Sequence, residues 1–264
     1  MESLASLGSL ADQALLVALA STRIAVAFLL LPVLAPDIVP ALVRNALFIA
    51  FGIVTLALQP SVDVTGWAAA GWLRLFVKEA FLGIAMGLLL GAVLWAFESA
   101  GQLVDAKAGL NLAQVVDPLS GQQTSLSGAL LGRLANFVFM FSGGLLLWVG
   151  TLLQSFAVWP LAQASLTLKP AGVVLFEQAF AQYALLAFLL AAPALVVLYA
   201  IDFALGLMNR YAPQLNLISI SMSLKGVAAT LVWLLMLATV LNTLIEQVQR
   251  LLPGMLGRLQ QTVG

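Results

Sequence analysis

The sequence predicts an all-α integral membrane protein, and three of its properties indicate this. First, 62% of its 264 residues are hydrophobic and only 8% are charged, and the mean hydropathy is +1.08. Second, the apolar residues fall in about six stretches, each close to the ~20 residues that a bilayer-spanning helix needs. Third, a polar segment follows one of these stretches without a break, which is typical of helical hairpins with long, broken and projecting helices.

The six apolar stretches are candidate membrane helices. They comprise Ala14–Leu34, Ala41–Leu58, Leu75–Phe97, Leu134–Leu153, Ala184–Leu207 and Val227–Leu244. Prolines 32, 36 and 40 separate the first two stretches, and Pro193 predicts a kink inside the fifth because proline cannot donate a helix hydrogen bond. With no internal repeat or low-complexity linker, the simplest interpretation is one helical domain over residues 1–264.

The third stretch continues into a polar segment, and the run from Glu79 to Val116 contains no proline. As one helix this run would be ~57 Å long, nearly twice the thickness of the hydrocarbon core. It must therefore tilt, break or project from the membrane. Asp117-Pro118 then provides turn chemistry, and Ser120 or Thr124 is a candidate cap for the returning helix. We expect a projecting polar hairpin over about residues 98–133.

The end of the chain, about residues 245–264, has the pattern of an amphipathic tail. Its apolar residues recur at helical spacing between Val248 and Gln261. The Pro253-Gly254 pair should interrupt this helix.

The positive charges give no orientation. With six full spans and Arg23 left out, five lysines and arginines fall on each side of the membrane: Arg44, Lys107, Arg133, Arg210 and Lys225 against Arg74, Lys78, Lys169, Arg250 and Arg258. The positive-inside rule therefore does not discriminate. Either the rule is overridden in this protein or some stretches are not ordinary spans.

Three charged residues lie within apolar stretches, namely Arg23, Glu79 and Asp202. A charge there costs a few kcal/mol unless it is paired or hydrated. They could form an ion or proton relay, or they could form internal ion pairs or polar contacts with partner subunits. We favour pairing, because relays usually combine several titratable groups and the chain has no histidine. Arg23 is the candidate partner of Glu79 or of Asp202.

Enzymatic activity is not expected. The chain has neither histidine nor cysteine, which excludes disulfides, Cys/His metal sites and any Ser-His arrangement. An intramembrane aspartyl pair of Asp105 and Asp202 is conceivable, but nothing around either residue supports it. We expect no catalytic, cofactor-binding or metal-binding residues.

Small residues recur every four positions in the third stretch, at Gly83, Gly87 and Gly91. Such a face allows another helix to approach closely. Glycine is common in membrane helices, but this alone explains three glycines at a spacing of four residues less well. We therefore expect this face to pack against a neighbouring helix.

The polar segment carries a face of its own. Glu98, Gln102 and Asp105 share one side of a helix at i, i+4 and i+7, and Gly101 and Gly109 leave room for close packing. This face could be solvated. Because it continues directly from a helix that is apolar enough to span a membrane, it could equally line a contact between subunits or the wall of a channel.

Two blocks of residues, and a weaker third, give the chain a resemblance to a known family. The first is Glu98-x-x-Gly101-Gln102-x-x-Asp105-x-x-x-Gly109, followed by Asp117-Pro118-Leu119-Ser120-Gly121-Gln122-Gln123-Thr124-Ser125. The second is Arg210-Tyr211-Ala212-Pro213-Gln214-Leu215-Asn216, followed by Met222-Ser223-Leu224-Lys225. The third is Arg23, Pro32, Pro40 and Arg44 in the first hairpin. The chain resembles the FliR/SctT export-gate proteins of bacterial type III secretion systems.

The resemblance implies a non-enzymatic subunit of an export gate at the bacterial inner membrane. In that family a single copy joins FliP/SctR-like and FliQ/SctS-like subunits into a helical pore for unfolded secretion substrates, next to an FlhB/SctU-like subunit. The fold resembles a FliP-like part fused to a FliQ-like hairpin. The gate stands largely above the membrane, which would explain the even charge distribution. Nucleic acid is not an expected partner, whereas membrane lipid is.

The resemblance also implies a plug for the closed pore. Carried over to this chain, the plug is the segment between Gly109 and Pro118, with the residues Leu110, Asn111, Leu112, Gln114, Val115, Val116 and Asp117. The motif residues Glu98, Gly101, Gln102, Asp105, Gly109, Pro118, Gly121, Gln122, Arg210, Pro213, Gln214, Asn216 and Lys225 are expected subunit contacts. Lys107 departs from the pattern, which predicts a neutral, glutamine-like residue. Residues 122–125 favour the virulence (SctT) branch over the flagellar (FliR) one.

An alternative from another class is a small secondary transporter. Its polar site would lie at the membrane midplane, near Asp202 and Pro193. A transporter should purify alone and bind a small solute, whereas a gate subunit should need its partners.

Overall fold

Helices account for all regular structure in the described part of the chain. The computed structural model describes residues 2–34, 39–59, 69–110, 125–163, 171–211 and 217–262. Seven α-helices and one 3₁₀ turn fall in these ranges: α1 (Glu2–Leu29), the turn Pro32–Leu34, α2 (Ala41–Leu58), α3 (Ala69–Ala108), α4 (Leu126–Phe141), α5 (Gly144–Val158), α6 (Ala171–Tyr211) and α7 (Leu217–Thr262). The predicted all-α class is confirmed.

Five of the helices are long and apolar enough to cross a membrane, as expected of a multi-pass membrane protein. They contain the spans Ala11–Leu29, Ala41–Leu58, Ala69–Ala108, Gly172–Tyr211 and Ile220–Gln260. The predicted fourth stretch, residues 134–153, is divided between α4 and α5, which meet at an angle of 70°. The break lies at Gly143, whose φ of 79° is left-handed and ends the α4 helix geometry. The fourth stretch is therefore a broken span or a re-entrant pair.

α3, α6 and α7 are each longer than the apolar stretch that predicted them. α3 is continuous over 40 residues and carries the polar segment as far as Ala108. α7 is continuous over 46 residues and passes through Pro253. The predicted interruption at Pro253-Gly254 is therefore wrong. A helix tolerates one missing N–H donor when packing holds both sides of the proline, and Leu252, Met255 and Leu259 form a stripe that is at most 2% exposed. The amphipathic tail over about residues 245–264 stays a prediction.

The chain divides into two compact units, each assembled from separate parts of the sequence. The first unit comprises Met1–Gly91, Gly143–Gln178 and Gln249–Gly264, and the second comprises Ala92–Ser142 and Ala179–Val248. The single domain expected over residues 1–264 stays a prediction. α6 is helical through Pro193, and the kink expected there also stays a prediction.

The core of the first unit is aromatic and glycine-packed. Phe28 of α1 lies 5.9 Å from Phe48 of α2 and 6.4 Å from Trp148 of α5, measured between ring centroids. α3 also packs closely against α1: a Cβ at Gly83 would lie 2.6 Å from the carbonyl oxygen of Arg23, and one at Gly87 would lie 2.8 Å from that of Ala27. The predicted packing of the glycine face is confirmed at these two positions, and the neighbour is α1 of the same chain.

The second unit is built on a close hairpin of α3 and α4. A Cβ at Gly101 would lie 2.5 Å from the backbone of Ser127 and Gly128, so only glycine allows the first turn of α4 to approach α3 this closely. The hydroxyl groups of Ser99 and Tyr183 lie 2.7 Å apart and connect α3 to α6. The polar motif therefore stands on a packed scaffold, not on a free helix.

Candidate functional site

Asp105 fixes the start of α4. Its Oδ2 accepts hydrogen bonds from the Ser125 hydroxyl at 2.7 Å and from the Ser127 amide at 2.8 Å. The Ser125 hydroxyl oxygen in turn accepts from the amide of Gly128 at 3.0 Å, as an N-cap. The positive end of the α4 dipole and two donors thus surround a carboxylate that is 0% exposed. The cap of the returning helix is Ser125, whereas Ser120 and Thr124, the expected caps, lie outside the described residues.

The face formed by Glu98, Gln102 and Asp105 is not uniform. Asp105 is buried, while Gln102 is exposed and donates from Nε2 to Oε1 of Glu98 at 3.1 Å. The Glu98 side chain also borders α4, because a Cβ at Gly132 would lie 3.3 Å from Glu98 Cβ. Asp105 is therefore used within the chain, and Glu98 and Gln102 remain candidates for a contact outside it.

The expected plug begins at a defined turn. α3 ends at Ala108, and Gly109 follows with a φ of 79° while its amide donates to the carbonyl of Ala106 at 3.3 Å. A left-handed glycine after the last helical residue is a common helix terminator. Leu110 lies beside α7, since a Cβ at Gly226 would lie 3.6 Å from its Cδ2.

Several predicted site residues lie outside the described part of the chain. These are Asn111, Leu112, Gln114, Val115, Val116, Asp117, Pro118, Gly121, Gln122, Pro213, Gln214 and Asn216. Of the second block, Arg210 is exposed at the end of α6, and Lys225 lies on α7 with only 13% of its side chain exposed.

Asp202 forms one ion cluster with two lysines. Its Oδ2 lies 2.7 Å from Nζ of Lys107 on α3, and its Oδ1 pairs with Nζ of Lys225 on α7. Nζ of Lys107 also lies 3.9 Å from the ring centroid of Tyr199, one turn before Asp202 on α6. The Asp202 side chain is 31% exposed, so it is partly buried and not enclosed. The alternative pairing of Arg23 with Asp202 is not the one observed.

Arg23 and Glu79 form a buried pair, which is one of the two pairings that the sequence analysis left open. Arg23 donates from Nε and Nη2 to the two Glu79 oxygens at 2.7 and 3.0 Å. Nη1 donates to Ser155 Oγ at 2.8 Å, and Nη2 also donates to the Trp159 carbonyl at 2.9 Å. Both charged side chains are 0% exposed. The bidentate geometry and the extra acceptors are what a buried guanidinium requires.

Lys78 is a third member of this cluster, and sequence reasoning missed it. Its Nζ lies 2.8 Å from Oε1 of Glu79 and donates to the carbonyls of Pro160, Leu161 and Gln163 at 2.7, 3.2 and 3.0 Å. Its place beside Glu79, in the otherwise apolar stretch Leu75–Phe97, was the available signal. The cluster joins α1 and α3 to the segment that follows α5.

Comparison with known proteins identifies the family of this chain. Residues 14–251 match the family described as bacterial export proteins, family 1. The chain belongs to that family, the FliR/SctT export proteins. It is 32% identical to Yop proteins translocation protein T of Yersinia pestis over 79% of this chain and 80% of the relative. It is 31% identical to surface presentation of antigens protein SpaR of Salmonella typhimurium over 85% and 83%. It is 26% identical to flagellar biosynthetic protein FliR of Bacillus subtilis over 86% and 87%.

As a member of the FliR/SctT family, the protein is an export protein of the type III secretion kind with several membrane helices. The match covers both blocks on which the resemblance was based, since they lie between residues 98 and 225.

Proposed function

We propose that this protein is the structural and gating subunit of the inner-membrane export gate of a type III protein secretion system. In this role it helps to form the pore through which unfolded substrates pass, and residues 110–117 plug that pore at rest. The single observation that carries the proposal is the family match over residues 14–251. The local geometry supports it, because the candidate plug starts at a fixed point.

That fixed point is the end of α3. The Asp105 cap and the Gly101 contact hold α3 and α4 together before the segment begins. Gly109 then turns the chain out of the helix. The segment itself combines apolar residues, which exclude water, with the amides of Asn111 and Gln114, which can hydrogen-bond to a pore wall. This combination suits a short plug.

The proposal includes the partners that such a gate needs. They are FliP/SctR-, FliQ/SctS- and FlhB/SctU-like subunits, with Glu98, Gln102 and Arg210 as candidate contacts from this chain. The system is proposed to be of the virulence type, because residues 122–125 favour the SctT branch and the identities of 32% and 31% to the Yop protein and to SpaR of Salmonella typhimurium are above the 26% and 28% to flagellar FliR proteins. Catalysis has no part in this role.

Deletion of residues 110–117 tests the plug. Leakage of small ions or a small dye across the inner membrane should rise in cells that produce the assembled complex, while complex abundance stays normal. A deletion of equal length between α2 and α3, residues 61–68, serves as the matched control and should not raise leakage. Normal complex abundance with an intact barrier in the 110–117 deletion would refute the plug. The secondary-transporter alternative was based on a polar site near Asp202. Two lysines pair with the carboxylate of Asp202, which supports a structural role for this residue over solute binding.

A further inference from the structure

We propose that Lys107, Asp202 and Lys225 form an ionic latch that fastens the end of α3 onto α6 and α7. Lys107 is the positioning residue of this latch. The consequence for transport, that the latch sets where residues 110–117 start, rests on the proposed function. The latch itself does not.

The geometry is that of a shared carboxylate. Each oxygen of Asp202 serves one ammonium group, and the two ammonium groups come from different helices. Loss of the Asp202 charge would leave two positive charges that repel one another in a partly buried site. The carboxylate of Asp202 on α6 therefore connects α3 and α7. Without it the two lysines cannot connect these helices, because their charges have the same sign.

The position of Lys107 means that the latch acts at the end of α3. Lys107 lies in the last turn of the helix, where a cation also interacts favourably with the helix dipole. Leu110 lies beside Gly226, one residue from Lys225 on α7. Tyr199 covers the ammonium group with its ring, which stabilises a cation and not a neutral amide. A lysine at this position therefore gives this chain a charged anchor where the family pattern predicts a neutral residue.

A cysteine pair can measure the position of the end of α3. The chain has no cysteine of its own, so Leu110→Cys combined with Gly226→Cys reports on one contact only. Cδ2 of Leu110 and a Cβ at Gly226 lie 3.6 Å apart, so two cysteines at these positions are within reach of a short bifunctional thiol reagent. The rate of this cross-linking would be followed by gel electrophoresis, in membranes of cells that produce the whole export apparatus.

We expect Asp202→Asn and Lys107→Gln each to lower the rate of cross-linking several-fold. Lys107→Arg should restore the parental rate, because it keeps the charge. Arg133→Gln removes an exposed cation from α4 in the same unit and is the matched control, with an unchanged rate. Parental rates in both Asp202→Asn and Lys107→Gln would overturn the latch. If Asp202→Asn does not accumulate, the comparison of glutamine with arginine at position 107 decides alone.

Leakage separates this inference from the proposed function. The same variants, without the cysteines, would be tested for dye leakage across the inner membrane. Slower cross-linking with increased leakage supports both the latch and the plug. Slower cross-linking with an intact barrier supports the latch and contradicts its control over residues 110–117, while the deletion of these residues tests the plug itself. An unchanged rate of cross-linking contradicts the latch whatever the leakage.

Discussion

At the scale of single residues, Glu79 is the centre of the buried charge in the first unit. Arg23 and Lys78 both bind its carboxylate, so the cluster contains two cations and one anion. The additional positive charge is compensated by carbonyl oxygens, one on Arg23 and three on Lys78. The cluster is therefore asymmetric. If Arg23 is removed, Glu79 still pairs with Lys78, but if Glu79 is removed, both cations lose their anionic partner.

We expect Glu79→Ala to lower the free energy of unfolding by about 3–5 kcal/mol, as when one member of a buried ion pair is removed. Arg23→Ala should cost less, because Lys78 still binds the carboxylate. Denaturation of this chain within the purified complex in detergent would measure both, and Arg74→Ala, which removes an exposed cation from the same helix, is the control. Equal losses in Glu79→Ala and Arg74→Ala would contradict the central role of Glu79. Additive losses in the Arg23/Glu79 double variant would show that the two residues are not coupled.

The sequence predicted part of this chemistry for a physical reason. A charge within an apolar stretch must be paired or hydrated, so Arg23, Glu79 and Asp202 could be predicted to need partners, but the residue types did not choose between Glu79 and Asp202 as the partner of Arg23. The carbonyl ligands of Lys78 could not be foreseen, because main-chain acceptors leave no mark in the residue types. The ion cluster of Asp202 needs groups from three helices, and their relative positions depend on packing that periodicity does not encode.

At the scale of helices, glycine decides which elements approach closely. Gly87 lies against α1, where a Cβ would be 2.8 Å from the carbonyl oxygen of Ala27 and 3.0 Å from Leu30. Gly71 lies on the same helix, and a Cβ there would meet nothing within 4 Å. The two positions thus differ in their surroundings and not in their secondary structure.

We expect Gly87→Leu to reduce the amount of assembled complex strongly, because the larger side chain must separate α3 from α1 at a backbone contact. Gly71→Leu should leave assembly near the parental level. Native gel electrophoresis of detergent-solubilised membranes would compare the two. Unchanged yield and secretion in Gly87→Leu would mean that the contact with α1 contributes little to folding.

Helices were easier to predict from the sequence than their ends. Long apolar stretches gave α2, α3 and α6, because length and composition are enough to define a membrane helix. The break at Gly143 was missed, since glycine is common in membrane helices and only its left-handed φ of 79° marks the bend. Pro253 misled in the opposite direction, because a buried apolar stripe on both sides keeps α7 continuous.

At the scale of the whole molecule, the membrane helices differ in how much of their surface the chain itself covers. In α3, 61% of the apolar window is buried, against 28% in α6 and 22% in the window of α7. The uncovered side chains are large, among them Phe188 and Phe203 on α6 and Leu235 on α7. α3 is thus an internal helix, whereas α6 and α7 need lipid or other subunits to cover them.

We expect this chain to accumulate and purify as a heteromeric complex when it is produced together with FliP/SctR- and FliQ/SctS-like subunits. Lipid can cover the apolar faces of α6 and α7 that this chain leaves exposed. Lipid cannot form the wall of a pore, however, so a subunit of the proposed gate also needs neighbouring protein subunits. Native mass after detergent purification would measure the composition of the complex. Co-production with an unrelated multi-pass membrane protein is the control and should leave the mass unchanged. A single well-defined monomer or homo-oligomer in the presence of the partners would contradict assembly into a gate, and binding of a small solute by that species would favour a transporter.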